Sequence, residues 1–264
     1  MTNTSIIIRS GTDALTASEG IDAVLFDLSG TLLDESYGRH AFAAVATAMF
    51  EWWRIDRDVA STDIRQAMAA VSAEMADRRF YLMRDVMCAA FGRVISAHGR
   101  CATARELVEL DHLMWSAAIP TAAAAEGAIE TITALRSAGI RTGIVSYADI
   151  GVFEGLLEQI GLAGLTDIEV CSEMARSCKP DPAIFRMALD GIGVPPERAM
   201  FVGDSVESDV VGGNRVGMRT VLLSGREFAI GGASSNDSNT HPDYRIDHVV
   251  DVLDLLGNDQ QPKA

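Results

Sequence analysis

The chain has 264 residues, 48% of them hydrophobic, with 37 Asp plus Glu against 22 Lys plus Arg and a formal net charge of −15. That length accommodates one large domain or a domain carrying an insertion, and the apolar fraction is enough for a sizeable core. The acidic balance argues against nucleic acid and anionic membrane as partners, so an anionic ligand must be met by a local cation or a metal.

Met1 to Gly20 reads as a weakly ordered leader whose one apolar run, Ile6-Ile7-Ile8, is too short for a signal-peptide core. No stretch approaches the roughly 18 apolar residues of a membrane span. The four cysteines, Cys88, Cys101, Cys171 and Cys178, have no C-x-x-C spacing and read as buried thiols of a reducing compartment. The five histidines form no H-x-x-x-H pair, which argues against zinc. A cytoplasmic location is expected.

The first expected strand is Ala23 to Phe26. From about Tyr37 to Ile119 the chain is rich in Ala, Met, Trp, Phe and Arg and nearly free of Gly and Pro. Phe42, Val45, Ala46, Met49 and Phe50 keep the rhythm of an amphipathic helix; Ile64, Met68, Val71 and Met75 give a second, and Leu107, Leu110 and Met114 a third. After Pro120 the texture alternates. A helix with Ile129, Ile132 and Leu135 stops at Gly139. The strand Arg141 to Val145 and a helix with Phe153, Leu156, Leu157 and Ile160 follow. Next come a short strand near Ile168-Glu169-Val170, a helix from Pro182, the strand Met200 to Val202, a short helix around Val206 to Gly212, and the strand Thr220 to Leu223. Gly231 to Thr240 reads as a loop and His248 to Leu256 as a last apolar element.

Repeated strand–helix units imply an α/β fold: a Rossmann-like parallel sheet core, here interrupted just after its first strand by an all-α block. The expected division is a leader over 1–20, a core over 21–36 and 120–258, and an all-helical block over 37–119.

Ligands of open parallel sheets bind beyond the carboxyl ends of the strands, and Asp27, Ser146 and Asp204 all fall at such ends. Asp27 is followed by Leu28-Ser29-Gly30-Thr31, a turn whose Gly30 and Thr31 offer backbone N–H groups and a hydroxyl to a phosphate. Gly203 lets the backbone approach a ligand, Asp204 points inward, and Asp209 lies near one helical turn on. Two carboxylates suit Mg²⁺, which prefers oxygen donors. Lys179 precedes Pro180-Asp181-Pro182, where Asp181 suits an N-cap and Pro182 a first helical position, so the lysine has a rigid perch.

The ordered set Asp27-Leu28-Ser29-Gly30-Thr31, Ser146, Lys179-Pro180 and Gly203-Asp204 with Asp209 resembles the four motifs of the haloacid dehalogenase superfamily over about residues 22–225. Lys179-Pro180-Asp181-Pro182 with Phe185 looks like its phosphoglycolate phosphatase and β-phosphoglucomutase branch. The resemblance implies a phosphatase with the helical block as cap. Asp27 would attack phosphorus, and Mg²⁺ would be held by Asp27, the Ser29 carbonyl and Asp204, with Asp209 assisting. Ser146 and Lys179 would steady the transferring group of a small phosphorylated metabolite, while Gly30 and Thr31 cradle it.

The departure is Ser29, where such phosphatases have an aspartate that protonates the leaving oxygen and then activates water. Acid–base catalysis of that kind is worth about 10²–10⁴-fold, so substrates with good leaving groups are expected. If another residue supplies the proton, Asp34 or His40 is the first to examine. A metal-free dehalogenase, a phosphonatase-like hydrolase and a catalytically weak binding protein remain alternatives; the acids Asp204 and Asp209 disfavour the first. Arg39, His40, Arg78 and Arg79 are unranked candidates for substrate contact from the cap.

Overall fold

The computed structural model describes residues 20–34, 36–224 and 238–257. The leader up to residue 19 and most of the loop expected over 231–240 lie outside the described residues. In chain order the elements begin with β1 (Ala23–Phe26), α1 (Tyr37–Trp53), α2 (Arg57–Met75), α3 (Met83–Ala97), α4 (Ala104–Ala118) and α5 (Ala128–Ser137). There follow β2 (Arg141–Ser146), α6 (Ile150–Gln159), β3 (Ile168–Cys171), α7 (Ser172–Ala175) and α8 (Pro182–Ile192). The chain continues with β4 (Ala199–Gly203), α9 (Val211–Val216), β5 (Arg219–Leu223), β6 (Tyr244–Ile246) and α10 (Val252–Gly257).

The six strands form one parallel sheet in the order β3-β2-β1-β4-β5-β6. Both faces of such a sheet are covered, and alternate residues of a strand feed opposite layers. Val24 and Phe26 of β1 pack with Ile132, Leu135, Phe153, Leu157 and Val252, from α5, α6 and α10. Ala23 and Leu25 pack with Ile184, Phe185 and Leu189 of α8 and with Phe201. This is the α/β architecture that the alternating texture implies. The strand β1 lies centrally, between β2 and β4, at the point where the strand order reverses.

From Tyr37 to Ala118 the chain is helical except for its turns. The helices α1 to α4 enclose a core of their own, including Val45, Met49, Ile64, Phe91, Ile95 and Leu110. The two connections to this block run side by side. Leu33 and Ala124 form an antiparallel bridge, Asp34 N donates to Ala123 O at 2.9 Å and Ala125 N to Leu32 O at 2.8 Å.

The sequence reading passed over two elements. The helix α3 does carry an apolar stripe at helical spacing, with Asp85, Arg93 and Ser96 exposed on the opposite face: Met87, Phe91, Val94 and Ile95 enter the main helical core, while Val86 and Ala90 enter a smaller cluster with Val71. The strand β6 has only three residues, too few for alternation to register.

Candidate active site at the carboxyl end of the sheet

The register pairs Phe26 with Ile144 on one side and with Val202 on the other. Asp27 therefore leaves the sheet first, its N–H still bonded to Val202 O at 2.8 Å, while Ser146 ends β2 and Asp204 follows Gly203 at the end of β4. Three neighbouring strands thus deliver three polar side chains to one edge.

Lys179 joins them from the loop before α8. Asp181 caps that helix by accepting from Ala183 N at 2.8 Å, with Pro182 at the first position; the Lys179–Pro180 peptide is cis. The Lys179 Nζ donates to Asp27 Oδ1 at 2.5 Å and to Asp209 Oδ1 at 2.7 Å and sits 5.6 Å from the centre of the Phe201 ring. Asp27 is 6% exposed and Asp209 2%, so both ion pairs are withdrawn from water. Burial pushes the Asp27 carboxyl up to about 6; the Lys179 ammonium pulls it back and the Asp209 carboxylate adds to the rise. Burial pulls Lys179 down, yet Asp209 and Asp27 together outweigh it and hold the ammonium above its usual range. One ammonium is shared by two buried carboxylates: the proton is held on the lysine, while burial and the second carboxylate make Asp27 harder to ionise.

Gly203 also serves the fold of the site itself. A Cβ at this position would lie 2.3 Å from Asp209 Oδ2 and 2.4 Å from its Cγ, so the missing side chain makes room for Asp209. The turn Val206–Val210 is wound as a π-helix, which brings Asp209 back over Gly203, where its Oδ2 accepts from Ser205 N at 3.0 Å. Asp209 therefore anchors Lys179.

Among the described residues, carboxylate oxygens of Asp27, Asp204 and Asp209 all lie within 4.8 Å of one another. Three carboxylates beside one ammonium leave an excess of negative charge, and the donors are all oxygen, so the cluster fits a hard divalent cation such as Mg²⁺ better than zinc or copper.

Ser29, Ser146, Lys179, Asp204 and Asp209 line the same cavity as Asp27. Gly30 and Thr31, expected to cradle a phosphate, do not. Gly30 takes φ 81°, a conformation natural to glycine, and its N–H bonds Leu33 O while that of Thr31 bonds Leu28 O, both at 3.3 Å. These amides close the turn itself, because four residues reversing direction must satisfy their own backbone first. Thr31 is 1% exposed and its Oγ1 has no partner among the described residues.

The Ser29 hydroxyl lies 3.5 Å from the Tyr37 hydroxyl, a neighbour that the sequence reading did not single out. Neither Asp34 nor His40 lines the cavity, whereas Arg39, Arg78 and Arg79 do. Asp149 was also missed. It stands before α6 yet makes no side-chain cap there; its two oxygens accept from Met83 N at 2.8 Å and Arg84 N at 2.9 Å, capping α3 across the cleft. Nearby, Cys178 N donates to Arg79 O at 2.8 Å, Tyr81 meets Tyr147 edge-on with ring centres 5.3 Å apart, and Arg79 reaches Asp181 at 3.7 Å. The turn before α3 is thereby docked on the loops that carry Ser146 and Lys179.

Residues 21–217 match the haloacid dehalogenase-like hydrolase family. The chain is 25% identical over 236 residues to the N-acetylmuramic acid 6-phosphate phosphatase of Pseudomonas aeruginosa, covering 89% of this chain and 95% of that protein. It is 31% identical over 206 residues to the phosphoglycolate phosphatase of Rhodospirillum rubrum, covering 76% and 79%. A crystal structure of a HAD phosphatase from Thermococcus onnurineus superposes with a TM-score of 0.60 at 25% identity, over 91% of this chain and all of that one. With the match extending from the first strand past Asp209, the chain belongs to the haloacid dehalogenase-like hydrolase family.

Proposed function

We propose that the protein is a Mg²⁺-dependent phosphohydrolase of a small phosphorylated metabolite, working through an aspartyl-phosphate on Asp27. The observation that carries this reading is the buried constellation itself, Asp27 and Asp209 bridged by Lys179 with Asp204 beside them. Two sequence relatives named as phosphatases, acting by name on N-acetylmuramic acid 6-phosphate and on phosphoglycolate, support it.

Asp27 is the nucleophile: a carboxylate oxygen at a strand end attacks phosphorus and forms an acyl phosphate that water later cleaves. Lys179, held by Asp209, neutralises the anion that approaches Asp27, and Ser146, buried at the neighbouring strand end, donates to a phosphoryl oxygen. Asp27, Asp204 and the Ser29 carbonyl would hold Mg²⁺, with Asp209 next to them. When bound, that ion offsets charge on the transferring phosphoryl group. The helical block acts as a cap over the site, and residues 37–119 are its proposed extent.

The test is phosphate release from a panel of phosphorylated metabolites, with p-nitrophenyl and acetyl phosphate included. Asp27→Asn should fold and retain less than about one per cent of the wild-type rate, and EDTA should abolish turnover. Phosphate release that survives both treatments would remove the covalent, metal-assisted mechanism, whereas no phosphate release from any compound, with metal-free halide release from a 2-haloacid, would favour a dehalogenase.

A further inference from the structure

The cavity over Asp27 has a volume of about 1750 Å³, well beyond the roughly 300–1,000 Å³ of an ordinary small-molecule site. A three-carbon phosphate would leave most of it unfilled. The lining facing the helical block includes Phe42 of α1, Met68 of α2, Met83 and Met87 of α3, and Met114 and Trp115 of α4. Phe42, Met68, Met83 and Trp115 are only partly buried, at the rim of the helical core, so they offer apolar surface to whatever enters. Thioethers and aromatic rings are the side chains that pack best against a planar aromatic body. Among the described residues, no Asn, Gln, His or Thr lines the cavity; its polar lining includes carboxylates, guanidinium groups and serine hydroxyls, which can also bond a sugar, so the distinguishing feature is the apolar wall.

A second observation is independent of the lining. Where a strong acid would meet the leaving oxygen stands Ser29, with the Tyr37 hydroxyl 3.5 Å away. A serine hydroxyl is a far weaker acid than a carboxyl and protonates an alkoxide poorly, but a phenolate, whose conjugate acid has a pKa near 10, can depart with little help.

Resting on the phosphatase reading above, we propose that the substrate is a phosphate monoester of a phenol whose bulky aromatic body is held by the methionine and aromatic wall of the helical block. An Asp27 oxygen attacks phosphorus as the bond from phosphorus to the aryl oxygen breaks. The electron pair leaves on that oxygen as phenolate, which takes a proton from solvent. Water then attacks the phosphorus of the acyl phosphate, the bond to Asp27 breaks, and its carboxylate is regenerated as inorganic phosphate and a proton leave. The sum is aryl phosphate plus water giving phenol plus phosphate.

The experiment holds leaving-group acidity constant and varies apolar size: phenyl, 2-naphthyl and 4-biphenylyl phosphates, with acetyl phosphate, glucose 6-phosphate and 2-phenylethyl phosphate for comparison, all with Mg²⁺. We expect kcat/KM to rise by roughly tenfold from phenyl to naphthyl, as about 50 Å² of extra apolar burial implies, and glucose 6-phosphate to be the poorest substrate. Met68→Gln should reduce that naphthyl advantage, and 2-naphthylphosphonate should inhibit more tightly than phenylphosphonate, a binding readout free of chemistry. Equal kcat/KM across the aryl series, or preference for glucose 6-phosphate, overturns the aromatic substrate while leaving the phosphatase reading intact. If no compound of the set releases phosphate, both fall together.

Discussion

Lys179 touches two buried carboxylates, and its place depends on a residue with no side chain. Alanine at position 203 would put a Cβ 2.3 Å from Asp209 Oδ2, so the carboxylate would have to swing away and release Lys179 Nζ. Gly203→Ala should therefore lower turnover by about 10²-fold, the usual penalty for a misplacement near 1 Å; a rate within threefold of wild type would show that Asp209 is not what holds the lysine. Asp27 makes a prediction of opposite sign about stability. Burial raises its carboxyl from 3.8 to about 6 in the folded protein. A folded-state value above the unfolded one means that the protonated form favours folding, a contribution present below about pH 4 and lost as the pH rises through about 6. Above that window the ionised carboxylate costs on the order of 3 kcal/mol. Asparagine is neutral throughout, so in EDTA the melting temperature of Asp27→Asn should exceed that of wild type at pH 7.5 and converge with it towards pH 4. A lower melting temperature for the variant at pH 7.5 would mean that the ion pair with Lys179 outweighs the burial of the charge.

At the scale of elements, one segment of the helical block is fastened to the two loops that carry Ser146 and Lys179. Asp149 provides its strongest bonds, to Met83 N and Arg84 N, and a carboxylate at a helix N-terminus also meets the positive end of the dipole. Asp149→Ala should cost about 1–2 kcal/mol, lowering the melting temperature by a few degrees. It should also raise KM more than it lowers kcat, because the nucleophile stays in place while the wall above it loosens. Asp149→Asn, which keeps one acceptor oxygen, should recover part of both; no change in KM for either variant would confine Asp149 to stability. This bond was not legible in the sequence, since an aspartate before a helix reads as the cap of that helix and only the fold brings α3 within reach. The alternating core was legible because strands such as Ala23-Val24-Leu25-Phe26 are buried on both faces and stand out as apolar runs. Helix α3 was legible by the same logic, since buried Val86, Met87, Ala90, Phe91, Val94 and Ile95 face away from exposed Asp85, Arg93 and Ser96, but the sequence reading passed over it. Within the site, Asp27, Ser146, Lys179, Asp204 and Asp209 were legible because strand ends and a capped helix fix where they point. The room that Gly203 leaves for Asp209, the closed turn at Gly30-Thr31 and the approach of Tyr37 to Ser29 depend on distances that no spacing encodes.

The whole molecule carries a formal charge of −15, yet among the described residues seven basic and seven acidic side chains line the cavity. Its walls are balanced while the surrounding surface repels anions. A phosphorylated substrate must cross that field before it meets Lys179, and the field acts on the encounter more than on the bound state. Salt should therefore help. Between about 0.01 M and 0.15 M ionic strength the Debye length shrinks from about 30 Å to about 8 Å, which screens the distant acids and leaves the buried contacts of Lys179 nearly untouched. We expect kcat/KM for a dianionic phosphate ester to rise by roughly twofold or more over that range at saturating Mg²⁺, with kcat unchanged. A steep fall in kcat/KM would mean that the arginines at the cavity, Arg39, Arg65, Arg78 and Arg79 among them, dominate the field at the mouth and draw the substrate in. Charge reversal of one of these arginines would then reduce the salt dependence, whereas in the balanced cavity described here it would leave that dependence close to that of wild type.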